Sequence, residues 1–246
     1  MPDRALPVAV RTAVISGAAR GFGAALSNTL LADGWTVYGI VRPGSPLLGA
    51  AARRLEWDIS RPCPREVSAA LAGARIDVVV NNAAVGSSQS SLPDVDPDAL
   101  TAALNNNVAG AVRVTQACLR GLLAAGERPH RPLVINMSSR IGSASFQASG
   151  RFAGFGTSYS YRLSKAALNM LTLSLHEEFG GQLDVWSVHP GILKTGMGRE
   201  GADKDPAAAA RELLGEIASQ MSSGPSAVSG TSPRFLDLGS RRDLPW

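Results

Sequence analysis

Thr12-Ala13-Val14-Ile15-Ser16-Gly17-Ala18-Ala19-Arg20-Gly21-Phe22-Gly23 joins an apolar, β-branched run to an Ala/Leu-rich one through three glycines. Thr12 to Ile15 reads as a strand, and Gly23 to Ala32 reads as a helix. Gly17, Gly21 and Gly23 form a GxxxGxG pattern between them. Glycine there lets the backbone turn tightly and approach a pyrophosphate, which sits at a helix N-terminus. An ordinary glycine turn is the alternative. With 26 glycines in the chain, the spacing alone is weak, and its place between strand and helix gives it weight.

The same alternation continues outward. Trp35 to Val41 predicts a second strand, Leu55-Glu56-Trp57 a short third one, and Ile76 to Val80 a buried fourth. Asp98 to Ala125 holds one or two helices, and Leu133 to Met137 is strand-like. Ser158 to Phe179 reads as a helix with an apolar stripe of Leu168, Leu171, Leu175 and Phe179. Val185 to Val188 is a strand. Asp205-Pro206 supplies an N-cap and an N1 proline for a helix reaching about Met221. Phe235-Leu236 closes the series as a short strand. Such alternation implies parallel strands with right-handed crossovers, hence one α/β domain over residues 1–246 in three αβα layers. Ligands on such sheets bind beyond the carboxyl ends of the strands. Polar groups do follow the strands: Ser16-Gly17, Arg42, Asp58, Asn81-Asn82, Ser138-Ser139 and His189-Pro190-Gly191.

Composition narrows the function classes. The 246 residues are 45% hydrophobic and 18% charged, as in an ordinary soluble globule. No apolar run approaches the roughly 18 residues of a membrane span. The first residues, Met1 to Pro7, lack the apolar core of a signal peptide. Cys63 and Cys118 read as free thiols in a reducing cytoplasm. Two cysteines and three scattered histidines do not make a zinc site. The net charge is +4, but the arginines are dispersed and aromatics make up only 5%. A solvated basic surface explains this better than nucleic-acid binding.

The chemistry-bearing pair is Tyr161 and Lys165. Their i, i+4 spacing places a phenol and an ammonium on one helix face. The cation stabilises a phenolate and lowers a pKa that is ordinarily about 10. Ser138-Ser139 supplies hydroxyl donors for a substrate carbonyl, and no GxSxG elbow is present. Arg42 starts the loop after the second strand, where an arginine accommodates a 2′-phosphate and an acid binds a ribose hydroxyl. No acidic residue lies between Trp35 and Arg53, and Arg20 adds a second cation. This favours NADP(H) over NAD(H); two surface arginines are the alternative. Asp58 reads as an acceptor for an adenine amino group or as a turn residue. Asn81-Asn82-Ala83-Ala84 suits close approach of a nucleotide, or a plain Asx turn. Asn105-Asn106-Asn107 inside a helix calls for a local distortion or a helix junction near Gly110. His176 and His189 read as structural.

Together these residues resemble the short-chain dehydrogenase/reductase family over nearly the whole chain. The matching pieces are Ser16 to Gly23, Asn81-Asn82-Ala83-Ala84, Asn107, Ser139, Tyr161 with Lys165, and Pro190-Gly191 with Thr195. Tyr161-Arg162-Leu163-Ser164-Lys165-Ala166-Ala167-Leu168-Asn169, and Lys194-Thr195-Gly196-Met197-Gly198 after Val188-His189-Pro190-Gly191, look most like the C-factor and sniffer-like carbonyl reductase branch.

The resemblance implies a Rossmann-type doubly wound sheet and an NADPH-dependent reduction of a ketone or aldehyde. Tyr161 is then the acid/base and Ser139 orients the carbonyl. Lys165 lowers the tyrosine pKa and holds the nicotinamide ribose, and Asn107 anchors a relay water. Thr195 and the backbone of Pro190, Gly191 and Ile192 fix the carboxamide. Asp58 and Asn82 contact adenosine, and Phe22, Ile59, Ala83 and Ala84 complete the cofactor wall. A catalytically silent nucleotide-binding regulator and an NAD-dependent alcohol dehydrogenase stay open. The family also implies a homodimer or homotetramer through the two long central helices, a small-molecule substrate, and a substrate-covering segment at 191–222.

Two features depart from the family pattern. Ala84 stands where glycine is usual. Ser139 and Tyr161 are 22 positions apart, longer than the family's usual dozen or so. The extra segment, Ser143 to Ser158, carries Phe146, Phe152 and Phe155. It reads as a substrate wall, a subunit contact or a surface loop.

Overall fold

β1 (Thr12–Ser16) runs through the middle of an eight-stranded sheet ordered β3-β2-β1-β4-β5-β6-β7-β8. The other strands are β2 (Thr36–Val41), β3 (Arg53–Glu56), β4 (Val78–Asn81), β5 (Leu133–Met137), β6 (Asp184–His189), β7 (Arg234–Asp237) and β8 (Arg242–Asp243). The computed structural model describes residues 10–46, 52–86, 89–124, 130–195, 202–222 and 232–246. Of the stretches read from the sequence, Met1 to Pro7, Ala125 and residues 196–201 of the covering segment lie outside these residues.

All pairings from β3 to β7 are parallel, and β8 alone runs antiparallel to β7. The wholly parallel expectation is corrected at that edge. A two-residue strand leaves no periodicity to read, so β8 could not be foreseen. Helix α1 (Gly21–Ala32) and helix α7 (Pro206–Ser222) cover one face. Their Leu26, Leu30, Leu213 and Ile217 share a core with Ala13 and Ile15. α2 (Arg65–Ala72) and α4 (Gly110–Leu122) cover the other face, packing Val67, Leu71, Val114 and Leu122 against Val14. Alternate residues of β1 therefore feed opposite cores, as strand geometry requires. The expected three αβα layers are present.

Boundaries move by a residue or two. The first helix begins inside the glycine motif, at Gly21, and the third strand is Arg53–Glu56 rather than Leu55 to Trp57. α2 was not anticipated, because only Val67 and Leu71 are buried on its eight residues. The asparagine triplet does distort the chain. Asn105–Ala109 is a π-helical turn between α3 (Pro97–Leu104) and α4. Asp205 caps α7 as expected, accepting from Ala207 N at 3.1 Å and Ala208 N at 3.2 Å.

The 143–158 segment contains a short helix, α5 (Ala144–Ala148), capped by Ser143. Its Phe146, Phe152 and Phe155 make an aromatic row, with ring centroids 6.0 and 5.7 Å apart. The far end of the sequence holds this segment. Ser143 Oγ donates to Pro245 O at 2.7 Å. Ser145 donates to the Trp246 main-chain oxygen from its N–H at 2.9 Å and its Oγ at 2.6 Å. The Trp246 ring stacks on Phe235 at 5.4 Å.

Among the described residues, no helix is long and apolar enough to cross a membrane, and no cluster of His, Cys, Asp or Glu could hold a metal ion. Cys63 and Cys118 are free thiols.

Candidate active site

An open cleft of about 1250 Å³ lies over the carboxyl ends of the strands. Of the candidate cofactor and catalytic residues, all but Gly23 and Asn107 line it. The two exceptions lie behind the wall and hold it in place.

The glycine loop shows why two of its positions tolerate no side chain. Gly17 has φ +69°, and a Cβ there would sit 2.9 Å from Ala83 Cα. A Cβ on Gly23 would lie 2.3 Å from Gly17 O. The Asn82-Ala83 loop packs into this space. Ser16 Oγ accepts from Asn82 N at 3.0 Å and Ala83 N at 3.1 Å. Asn82 Nδ2 donates back to Ser16 O at 3.0 Å and Gly17 O at 3.3 Å. The amide of Asn82 therefore braces the glycine turn, a bridge between residues 66 apart in sequence that neither the adenosine nor the Asx-turn reading contained.

Gly21 and Phe22 of the first turn of α1 line the cleft. Arg20 occupies the N-cap position without a side-chain cap, and the turn holds no acid. Its N–H groups and dipole are open to an anion. Thr195 reaches over this turn, its Cγ2 3.4 Å from where a Gly21 Cβ would stand. Arg20 and Arg42 are exposed at the cleft, and among the described residues neither is paired with a carboxylate. Asp58 is the one acid in the lining. Its Oδ1 accepts from Ser60 N at 3.0 Å and Ser60 Oγ at 2.7 Å. These bonds, helped by Arg42 and Arg61, hold its carboxyl below the usual range. Asp58 is thus a turn residue that also faces the cleft. An uncapped helix start, two exposed arginines and a glycine cradle suit a phosphorylated dinucleotide.

Ser139, Tyr161 and Lys165 gather at the opposite end. Ser139 ends the chain's exit from β5 and caps a 3₁₀ turn, Arg140–Gly142, its Oγ accepting from Ile141 N at 3.4 Å. That turn packs hard on α6 (Tyr159–Phe179): a Cβ on Gly142 would lie 2.6 Å from the Lys165 carbonyl carbon. The Ser139 side chain lies beside the Tyr161 hydroxyl and pulls its pKa down. Burial raises the Tyr161 pKa, and the serine only partly offsets this. The sequence reading expected the opposite direction, from the neighbouring ammonium. Lys165 is 4% exposed, and its Nζ donates to Met137 O at 2.6 Å. It stands 5.4 Å from the Tyr161 ring centroid. Burial lowers its pKa to about 8. Desolvation thus governs both groups, and the lysine is anchored on backbone.

Asn107 is 2% exposed. Its Oδ1 accepts from Val85 N and its Nδ2 donates to Val85 O, both at 2.8 Å. Nδ2 also donates to Ser164 Oγ at 3.0 Å. The side chain ties the loop after β4 to the helix carrying Tyr161 and Lys165.

Pro190, Gly191, Ile192 and Thr195 line the cleft after β6, as do Ala83 and Ala84 after β4. His189, read as structural, also lines it. Burial pushes its pKa down to about 4, against the pull of Asp237. His176 does have a structural partner, Ser232 Oγ at 3.2 Å from Nδ1. Phe155 reaches the cleft, so the 143–158 segment forms part of its wall. Met137, whose carbonyl holds Lys165, was missed; a main-chain acceptor leaves no mark in sequence.

The family model described as short chain dehydrogenase matches residues 11–206. The chain is 36% identical over 124 residues to C-signal of Myxococcus xanthus, a match covering 50% of this chain and 69% of that protein. It is 30% identical over 215 residues to L-xylulose reductase of Bos taurus, covering 82% of this chain and 79% of the relative. A short chain dehydrogenase from Burkholderia cenocepacia J2315, solved in complex with NADP, is 27% identical and superposes with a TM-score of 0.70 over 85% of this chain and 84% of that one. The match to residues 11–206, on a Rossmann-type sheet that brings Ser139, Tyr161 and Lys165 together, places the chain in the short chain dehydrogenase family of oxidoreductases.

Proposed function

We propose that this chain reduces a ketone or aldehyde to an alcohol with NADPH. The observation that carries the proposal is the polarity of the cleft. Ser139, Tyr161 and Lys165 meet at one end, and the uncapped start of α1 with Arg20 and Arg42 stands at the other. A relative's name, L-xylulose reductase, and the NADP held by a structural neighbour agree with it.

Bound NADPH supplies the hydride. The residues supply everything else. Gly17, Gly21 and the first turn of α1 receive the pyrophosphate, and Arg42 with Arg20 receives the 2′-phosphate. Tyr161, its pKa raised by burial, keeps its proton at neutral pH. It therefore has a proton to donate to a carbonyl oxygen that is gaining negative charge. Ser139, which lines the cleft beside Tyr161, offers a second donor at the same oxygen. When the phenol has given up its proton, the Lys165 ammonium beside the ring stabilises the phenolate. A protonated phenol and a charged lysine at neutral pH suit reduction.

The test is a panel of aldehydes and ketones incubated with NADPH or NADH and followed at the absorbance of the reduced cofactor. NADPH oxidation dependent on a carbonyl compound is expected. Tight NADPH binding with no turnover across the panel would instead favour the silent regulator.

A further inference from the structure

We propose that a smaller hollow beside the cleft seats an anionic group of the substrate, with Arg162 as its receptor; this rests on the carbonyl-reductase reading. The hollow measures about 440 Å³ and shares Phe155 and Gly156 with the main cleft. Its wall combines the apolar rings of Phe152 and Phe155 with Ser90, Gln147 and Arg162, and no Asp or Glu lines it. Arg162 directly follows Tyr161 on α6. A molecule with its carbonyl at Tyr161 and Ser139 can thus extend past Phe155 into the hollow.

The state of the guanidinium points to an anion. Arg162 is half-buried. Among the described residues, its one acceptor is Thr157 O, 3.3 Å from Nη2. Its Cζ lies 5.8 Å from the Tyr159 ring centroid, and its Nε is buried without an acceptor. No carboxylate among the described residues pairs with it. A guanidinium has five N–H donors arranged to grip a carboxylate or phosphate with two parallel bonds. Burying the Nε–H without an acceptor is costly, and an incoming anion that grips the guanidinium offsets that cost. Arg151, stacked on Phe146 at 4.6 Å in the same segment, adds positive potential. The substrate class is therefore a carbonyl compound bearing a carboxylate or phosphate.

A matched series of aldehyde acids and their methyl esters, from 4-oxobutanoate to 4-formylbenzoate, tests this with NADPH. Wild type should favour at least one acid over its ester by about tenfold in kcat/KM, mostly through KM, the scale of a charge-assisted hydrogen bond. Arg162→Gln should erase that preference by slowing the acid alone, and Arg162→Lys should restore part of it. Equal efficiency for every acid and ester in the unmodified protein would overturn the anion seat while leaving the reductase reading intact. So would an Arg162→Gln loss shared equally by both. If no aldehyde is turned over, calorimetry with benzoate and benzamide decides the seat separately. Benzoate binding that vanishes in Arg162→Gln upholds the seat although the reductase reading has failed. No binding of benzoate to the unmodified protein removes the seat as well.

Discussion

Lys165 gives its ammonium to the carbonyl oxygen of Met137, 2.6 Å away at the end of β5. The lysine is held by the sheet, and the tyrosine by the helix that carries both. Their relation is fixed by the packing of α6 on the Arg140–Gly142 turn.

This geometry sets a pH dependence. The Lys165 pKa is lowered to about 8, and that of Tyr161 is raised. As pH rises, the lysine loses its charge first, while the phenol still holds its proton. Carbonyl reduction should therefore decline as pH passes about 8. The measurement is kcat/KM for a neutral carbonyl substrate across roughly pH 6 to 10, which brackets the lysine's titration while the phenol keeps its proton. A flat profile to the alkaline end would show that the lysine charge is not needed.

Tyr161→Phe removes the proton source and leaves the ring in place. Turnover should fall by about 10²–10⁴-fold, the usual contribution of a general acid. NADPH affinity, read by nicotinamide fluorescence, should stay near wild type. Retained turnover would assign the proton to another group.

Arg42→Asp puts an acid where a 2′-phosphate would sit. The ratio of efficiencies with NADPH and NADH should shift toward NADH by at least about tenfold, as expected for losing a charge-assisted contact. An unchanged ratio would move the phosphate site elsewhere along the cleft.

Asn107→Ala leaves Val85 N, Val85 O and Ser164 Oγ without their partner. In a site this buried, the loss should amount to about 3 kcal/mol or more. Thermal unfolding should shift downward by several degrees, and the loop after β4 should exchange its amide protons faster. A normal melting temperature with lost turnover would give Asn107 a purely chemical role.

Much of the site was legible because its logic is local. The glycine loop sits within one strand-turn-helix unit. Tyr161 and Lys165 share one helix face, and the asparagine triplet advertised its π-turn through poor helix formers. What stayed hidden depends on distant partners. Asn82 braces Gly17 and Ser16 across 65 and 66 positions, and Lys165 finds Met137 across 28. The pKa direction of Tyr161 was misread for the same reason. Spacing revealed the cation, and only packing reveals how dry the phenol is. β8 and α5 were too short to carry a pattern.

The clasp between Ser143, Ser145 and Pro245-Trp246 bears on how the molecule is made. Ser143 follows Ser139 by four positions, yet its bonding partner, Pro245 O, is about a hundred positions downstream. A chain emerging from the ribosome presents Ser139, Tyr161 and Lys165 long before Trp246. It cannot fasten the shoulder of Ser139 until Trp246 has been synthesised.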